Sequence, residues 1–332
     1  MIQKIISRLK ELHSLFPDFE KGADIQIEKK FPRVESDVFL LLAKHKQNTL
    51  HLYVKIVKEE TFSAGTLQKR LSSEYACLQS TYEYFKNSPM HRAVRPIAFF
   101  PEWHTIVTAE SPGLVLKPVI MSYTRILSLR DIKRLQKAVF LCGRWLRDFH
   151  HCVKAETEFE LEGITLYVSR RLEILEDLGL IRKDLGKILR KNLEEIEKGY
   201  IRFIPSVLLH NDFIPGNILI DGEKICVLDF SWAGRGCHYF DITAFWLELQ
   251  RLGEMPHHSR SKVSLLQKSF LEGYGEVRQE SVEFRCFELL QRVNALNYLW
   301  IERQKRGYPR RLSRDFEIKN QLRWLHQFKA QI

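Results

Sequence analysis

The stretch His210-Asn-Asp212-Phe-Ile-Pro-Gly-Asn217-Ile-Leu-Ile-Asp-Gly-Glu-Lys-Ile-Cys-Val-Leu-Asp229-Phe230 places a histidine, two carboxylates and a carboxamide at fixed spacings. Asn217 follows Asp212 by five positions, and Asp229 closes a predicted hairpin. This order of a base, an amide and a second carboxylate is the one that phosphoryl transfer uses. Asp212 would orient an attacking hydroxyl and accept its proton, whereas Asn217 and Asp229 would hold Mg²⁺ against nucleotide phosphates.

The hairpin is predicted from two β-rich runs, 217–220 and 225–228, joined by a turn with an Asp-Gly signal. Such a hairpin brings Asn217 and Asp229 to the same end of its two strands. A lone match to the His-x-Asp-x4-Asn pattern is expected by chance in about one chain in a hundred. The ordered combination is much rarer, which favours a functional site over a common surface hairpin.

Length and composition indicate a globular protein. The 332 residues suffice for two domains, and 45% are hydrophobic and 28% charged. No run of eighteen apolar residues occurs, so no transmembrane segment is expected, and the first ten residues resemble an amphipathic helix. Six scattered cysteines without a Cys-x-x-Cys pair predict reduced thiols and a cytoplasmic location.

The formal net charge of +11 favours an anionic partner, such as a nucleotide, an acidic substrate or a membrane surface. No nucleic-acid recognition motif is present, so a nucleic-acid partner is not expected. The densest basic stretch, residues 303–314, has two interpretations. A solvated loop between two C-terminal helices is favoured over an anion-binding site.

Residues from about 24 to 110 are predicted to form mainly strands with one helix. In the strand over 50–57, Lys55 points away from the apolar face. A lysine in the middle of a strand is typical of phosphate binding, whereas Lys58 would be a solvated strand end. In the helix over 67–85, Glu74 lies beside the apolar stripe and could pair with Lys55.

Glu59 and Glu83 are the competing partners for this lysine. Further strands are expected over 95–100 and 105–108, and Pro112-Gly113 would then break the chain at a hinge.

From about residue 125 the pattern is helical, with a long apolar stripe from Ile132 to Phe149 that ends at His150-His151. Adjacent helical residues diverge by about 100°, so a helix-end role is favoured over a metal site for this pair. The expected fold is α+β and bilobal. Residues 1–110 would form a small β-rich nucleotide lobe. Residues 111–332 would form a helical lobe with the catalytic loop, the metal-binding hairpin and the acceptor region, and a cleft between the lobes would be the default nucleotide site.

The chain resembles the aminoglycoside phosphotransferase and choline kinase group of protein-kinase-like small-molecule kinases. The resemblance rests on residues 210–219, 228–234 and 239–244 and extends loosely over most of the chain. It implies a role for each matching residue: Asp212 as catalytic base, Asn217 and Asp229 as magnesium ligands, Lys55 and Glu74 as the ion pair at the phosphates, Ala109 to Ser111 as the backbone that binds adenine, and Asp241 as a brace for the catalytic loop.

The chain also departs from this family. Asn211 stands where glycine usually follows the histidine, and Ser231 stands where an acidic residue often follows Asp-Phe. Residues 31–37, between the first strands, contain no glycine to approach phosphates closely. His-Arg-Asp and Ala-Pro-Glu motifs are absent, which disfavours a protein kinase with a phosphorylated activation loop.

The leading hypothesis is a kinase that uses ATP (or GTP) and Mg²⁺ to phosphorylate a hydroxyl of a small molecule. The net charge disfavours a polycationic acceptor, so a sugar-like or otherwise neutral or anionic acceptor is preferred. Two alternatives remain open. The first is a pseudokinase that binds a nucleotide or a partner without phosphoryl transfer. The second is a kinase of a membrane-associated saccharide or macromolecule with peripheral membrane contact.

Overall fold

The computed structural model describes residues 1–12, 24–45, 47–59, 64–152, 158–159, 162–199, 204–275, 277–305, 307 and 310–328. These residues fall into two compact units. The first contains Met1–Leu114 and Asn217–Ala233, and the second contains Val115–Gly216 and Gly234–Ile332.

The strands are β1 (Asp24–Pro32), β2 (Ser36–His45), β3 (Asn48–Val57), β4 (His91–Ala93), β5 (Pro96–Phe100), β6 (Thr105–Ala109), β7 (Leu114–Val115), β8 (Glu158–Phe159), β9 (Ile204–Pro205), β10 (Val207–Leu209), β11 (Ile218–Asp221), β12 (Lys224–Val227) and β13 (Gly234–Gly236). The helices are α1 (Ile2–Glu11), α2 (Ala64–Phe85), α3 (Leu116–Thr124), α4 (Ile132–His151), α5 (Glu162–Asp177), α6 (Lys183–Gly199), α7 (Tyr239–Gly253), α8 (Arg260–Tyr274), α9 (Val282–Gln304) and α10 (Arg310–Phe328).

The first unit is built on an antiparallel sheet in the order β1-β2-β3-β6-β5. The two faces of the sheet carry different residues because side chains alternate along a strand. Leu52 and Val54 of β3 are buried in one core cluster with the apolar side of α1. Lys55 projects from the other face, where α2 packs and Tyr75 stacks on Phe99 at a centroid distance of 5.3 Å. The sheet thereby directs Lys55 towards α2.

A second sheet of the first unit has the order β4-β12-β11-β7. The hairpin β11–β12 pairs Ile218 with Val227, and β12 runs parallel to β4. This pairing places Asn217–Ala233 in the first unit, whereas the sequence expectation assigned the hairpin to the helical part. The difference arises from a strand contact between residues more than a hundred positions apart, which hydrophobic patterning does not encode.

The second unit is mainly helical, and two of its helices, α4 and α8, cross in close contact. Gly143 and Gly273 face each other's helix so closely that a Cβ on Gly143 would lie 2.1 Å from the Phe270 carbonyl oxygen. A Cβ on Gly273 would lie 2.0 Å from the Phe140 carbonyl oxygen. The absence of side chains at both positions therefore permits this contact.

The predicted α+β organisation is confirmed. The five-stranded sheet lies before residue 110, most of the helices lie after it, and the amphipathic helix at the N-terminus is α1. The helices α3 and α8 were not predicted. Within the described residues, no helix is both long and apolar enough to cross a bilayer.

Candidate active site

Lys55 and Glu74 form an ion pair in the first unit. The Lys55 Nζ lies 2.8 Å from Glu74 Oε1 and 3.5 Å from Asp229 Oδ1. Burial alone would lower the pKa of Lys55, but the charges of Glu74 and Asp229 outweigh it and raise that pKa above its usual value. Lys55 therefore stays protonated at neutral pH beside a buried carboxylate.

The competing glutamates lie elsewhere in the first unit. Glu59 Oε1 is 3.4 Å from His104 Nδ1, and Glu83, near the end of α2, pairs with Lys86 just beyond that helix. The structure thus brings Lys55 together with Glu74, while the role of this pair in phosphate binding stays a prediction.

Ser231 joins the two acidic groups around Lys55, and the sequence did not predict this. Its hydroxyl accepts a hydrogen bond from Lys55 and lies within hydrogen-bond distance of both Asp229 Oδ1 and Glu74 Oε1. A hydroxyl has one proton, so it can donate to only one of these carboxylates at a time. The sequence showed that Ser231 replaces the acidic residue that often follows Asp-Phe in the family. It did not show that the fold brings Lys55, Asp229 and Glu74 together around this serine.

The hairpin of β11 and β12 has a register that the sequence left open. Ile218 pairs with Val227, and the Leu228 amide donates to the Asn217 carbonyl oxygen at 2.9 Å. Asn217 and Asp229 therefore lie at the same end of the hairpin, as predicted. Asp229 has φ of +61°, a conformation that is uncommon outside glycine and that occurs at constrained functional positions.

The side chains at the end of this hairpin offer oxygen atoms, which are the ligand type that Mg²⁺ prefers. Asn217 offers an amide oxygen, and Asp229 offers a carboxylate whose side chain is 49% exposed. Among the residues that the structure describes, no three His, Cys, Asp or Glu side chains cluster as a closed metal cage. Magnesium is usually held by one or two protein carboxylates together with water and substrate phosphates, so a small donor set is what such a site requires.

Asp212 lies in the second unit, on a segment fixed through Asp241. Asp241 is buried, and its carboxylate accepts two hydrogen bonds from backbone amides. The His210 amide donates to Oδ2 at 2.7 Å, and the Asn211 amide donates to Oδ1 at 2.8 Å. This geometry confirms that Asp241 braces the loop. Phe213 anchors the same segment, because it is fully buried and stacks on Trp145 at 5.6 Å.

The conformation of Asn211 explains one departure from the family. Its φ is +62°, in the left-handed region that glycine adopts most easily. Asparagine is among the few other residues that tolerate this region, because its short polar side chain can hydrogen-bond locally. Asn211 can therefore occupy the position without a change in the path of the loop.

His150 also supports this segment, and the helix-end interpretation is incomplete for it. His150 is buried, with Nε2 3.2 Å from Asp241 Oδ2 and Nδ1 2.9 Å from the Tyr274 hydroxyl. His151 fits the expected role, since its ring nitrogen lies 2.6 Å from the Arg147 carbonyl oxygen at the end of α4. The pair diverges around the helix, as adjacent helical residues must.

Ala109 and Ser111 lie where β6 ends. The backbone amides of Ala109 and Glu110 donate to the carbonyl oxygens of Arg95 and His51, both at 2.9 Å. These two N–H groups are therefore engaged within the first unit. An adenine ring bound here would have to hydrogen-bond to the backbone carbonyl oxygens of residues 109–111 and to the Ser111 amide. Adenine binding at this segment stays a prediction.

The connection between β1 and β2 is a tight turn of Arg33, Val34 and Glu35. The Arg33 amide donates to the Ser36 carbonyl oxygen at 2.8 Å, and Lys58 Nζ donates to the Arg33 carbonyl oxygen at 2.8 Å. Lys58 follows the end of β3 and its side chain is 38% exposed, as expected for a solvated strand end, and its contact with this turn was not predicted. The turn is short and uses the Arg33 amide internally.

Comparisons with known proteins define the class of the chain. The sequence pattern of the phosphotransferase enzyme family matches residues 107–279, just over half of the chain. The chain therefore belongs to the phosphotransferase enzyme family, and the prediction of a phosphotransferase is confirmed.

Individual relatives are more distant. A homoserine kinase of Neisseria meningitidis serogroup B (strain ATCC BAA-335 / MC58) is 25% identical over 128 residues, which are 38% of this chain and 40% of that protein. The match thus spans two fifths of the length of that relative.

Solved structures cover nearly the whole chain. Choline kinase from Cryptosporidium parvum Iowa II has a TM-score of 0.57 at 14% identity, over 99% of this chain and 96% of that one. The GDP and kanamycin complex of APH(2")-IIia has a TM-score of 0.56 at 14% identity, over 98% and 99%. At these identities the likeness establishes the fold alone, and it confirms the predicted protein-kinase-like fold.

Proposed function

We propose that this phosphotransferase uses ATP or GTP with Mg²⁺ to phosphorylate a hydroxyl group of a small molecule. The observation that carries the proposal is the cluster of Lys55, Glu74 and Asp229, in which the lysine lies 2.8 Å from one carboxylate and 3.5 Å from the other. A cation held between a buried glutamate and a half-exposed aspartate is suited to nucleotide phosphates and their metal ion.

Five of the predicted residues then have a proposed role. Lys55, positioned by Glu74, would contact the phosphates, and Asn217 and Asp229 would hold Mg²⁺, which supplies charge neutralisation when bound. Asp212, on the segment fixed by Asp241, would orient the acceptor hydroxyl and accept its proton. Catalysis would depend on positioning and charge stabilisation more than on covalent chemistry at the protein.

The acceptor is proposed to be neutral or anionic, with a sugar-like alcohol preferred. The formal charge of +11 supports this, because a polycationic acceptor would be repelled by the overall field of the chain. The similarity to a homoserine kinase adds homoserine, whose charges balance, to the acceptors that we would test first. Six free cysteines, four of them buried, support a reducing, cytoplasmic setting.

The test is incubation of the purified protein with Mg²⁺, γ-labelled ATP or GTP and a panel of alcohols that includes sugars, homoserine and choline. The Asp212→Asn variant should lower the turnover number by about 10²–10⁴-fold, because it removes the proposed base and keeps the shape of the side chain. Asp221→Asn, the same change in the exposed hairpin turn, is the matched control and should leave turnover unaffected.

The pseudokinase alternative is favoured by one observation, the short glycine-free turn between β1 and β2 whose Arg33 amide is already engaged. It predicts that nucleotide raises the melting temperature of the protein while no acceptor is phosphorylated. Turnover that does not exceed that of Asp212→Asn across the panel would therefore replace the enzymatic proposal with this one.

A further inference from the structure

The loop between α3 and α4 presents bulky apolar side chains to water. Ile126 is 57% exposed, Leu127 is 92% exposed and Leu129 is fully exposed. Single exposed apolar residues are ordinary on protein surfaces, but clusters of them mark interaction sites. Three such side chains within four consecutive positions of one loop form a cluster, here called the apolar loop (residues 126–129).

The backbone of the apolar loop is held in place by α8 and the chain before it. Lys262 Nζ donates to the carbonyl oxygens of Ser128 at 2.6 Å, Tyr123 at 3.3 Å and Arg125 at 3.5 Å. The Ile126 amide donates to the His257 carbonyl oxygen at 3.2 Å, and the Ser259 amide donates to the Thr124 carbonyl oxygen at 2.7 Å. These contacts fix the backbone while the leucine side chains remain uncovered.

Basic residues surround the apolar loop. Residues 125–137 contain five basic side chains and one acid, Asp131. Arg125, Arg130, Lys133 and Arg134 are exposed, and the Asp131 carboxylate caps α4 by accepting from the Lys133 amide at 3.0 Å. On the neighbouring helix α8, Arg260 is exposed as well. The chain on both sides of the leucines therefore carries mainly positive charge.

We propose that the apolar loop and its basic surround bind the surface of an anionic lipid bilayer. Leucine side chains fit the boundary between headgroups and acyl chains, and flanking lysine and arginine residues attract anionic headgroups. The core of a protein–protein interface is depleted of charged residues, whereas here the charges directly flank the leucines. The combination of uncovered leucines with a cationic rim therefore fits a lipid surface better than a protein partner.

The test is co-sedimentation of the full chain with vesicles of phosphatidylcholine alone, or with one third phosphatidylserine, at low and at physiological salt. The full chain should sediment with the anionic vesicles, and more weakly at higher salt because charges at the surface are screened. The double variant Leu127→Ser/Leu129→Ser should weaken this binding by about tenfold or more, since it removes two side chains that enter the apolar boundary. Lys133→Gln/Arg134→Gln should also weaken it.

The matched control is Ile301→Ser/Leu312→Ser, which removes two other exposed apolar side chains of the second unit and should leave binding unchanged. The proposal is overturned if the full chain does not sediment with anionic vesicles, or if the leucine variant binds like the control. It is also overturned if the leucine variant changes only the oligomeric state measured by light scattering. None of these readouts requires phosphoryl transfer, so the result is independent of the proposed function.

Discussion

Ser231 links three charged side chains of the first unit through one hydroxyl group. The serine side chain is short, and its hydroxyl lies within hydrogen-bond distance of Lys55, Asp229 and Glu74. By accepting from the lysine and donating to a carboxylate, it can fix the distance between the Lys55 ammonium and the Asp229 carboxylate. We therefore assign Ser231 a positioning role in the proposed phosphotransfer.

Replacing Ser231 with alanine is expected to raise KM for the nucleotide about 5- to 30-fold, since loss of a hydrogen bond to a charged group costs about 1–2 kcal/mol. Ser231→Thr keeps the hydroxyl and should restore most of the loss. The readout is the separate measurement of KM and turnover number at several Mg²⁺ concentrations. Equal effects of alanine and threonine would mean that the position matters only for packing.

Residue types predicted part of this site, and backbone geometry decided the rest. The Lys55–Glu74 pairing followed from a lysine on the far face of a strand and a glutamate on the next helix. Left-handed φ values at Asn211 and Asp229 were not predictable, because neither residue type requires that conformation. The function of Lys58 was also missed, since its partner is a carbonyl oxygen in a turn whose shape the sequence does not specify.

Among the elements, α4 and α8 cross in close backbone contact. A Cβ atom added to Gly143 would lie only 2.1 Å from a backbone oxygen of α8. The obstructing atoms belong to a helix backbone, so they cannot move aside as the end of a flexible side chain can. The same helix α4 carries His150, which holds Asp241 and so contributes to the support of the loop that bears Asp212.

Gly143→Ala is expected to reduce the free energy of unfolding by about 3 kcal/mol, because overpacking against backbone outweighs the gain of about 1 kcal/mol from helix propensity. Gly163→Ala in α5 is the control. Nothing lies within 4 Å of its added Cβ, so this variant should be neutral or slightly more stable. Urea denaturation followed by circular dichroism measures both, and a Gly143→Ala variant as stable as the parent would contradict this close approach.

Local elements were largely predictable from hydrophobic period. The strands and the long helices follow alternating or 3.6-residue apolar patterns, and the Asp-Gly signal identified the hairpin turn. The parallel pairing of β12 with β4 was not predictable, because it joins residues 225–227 to residues 91–93 without a local signal. That pairing joins the hairpin of β11 and β12 to a strand of the first unit.

For the molecule as a whole, stability should fall in weak acid because of a histidine. Burial lowers the pKa of His238 to about 4, and repulsion from His150 and His151 acts in the same direction. Its ring lies against Tyr274 and Tyr239. Between pH 6.5 and 4 the unfolded chain then binds more protons than the folded one, so stability decreases as the pH falls.

His238→Gln should lessen this loss by about 1–2 kcal/mol between pH 7 and pH 5, given about 1.4 kcal/mol per pKa unit. His258, whose pKa burial also lowers, leaves a residual slope of the same sign. The measurement is the free energy of unfolding at several pH values. His326→Gln, on the exposed side of α10, is the control, and an identical slope in both variants would rule out His238 as the cause.

The first unit consists of two separate pieces of chain, residues 1–114 and 217–233. It follows that no single cut of the chain yields the whole first unit. A fragment ending at residue 114 would keep Lys55 and Glu74 but lose Asp229, Ser231 and the strand that pairs with β4. Residues 115–216 of the second unit lie between these two pieces. The ribosome must therefore synthesise this part of the second unit before the first unit can fold completely.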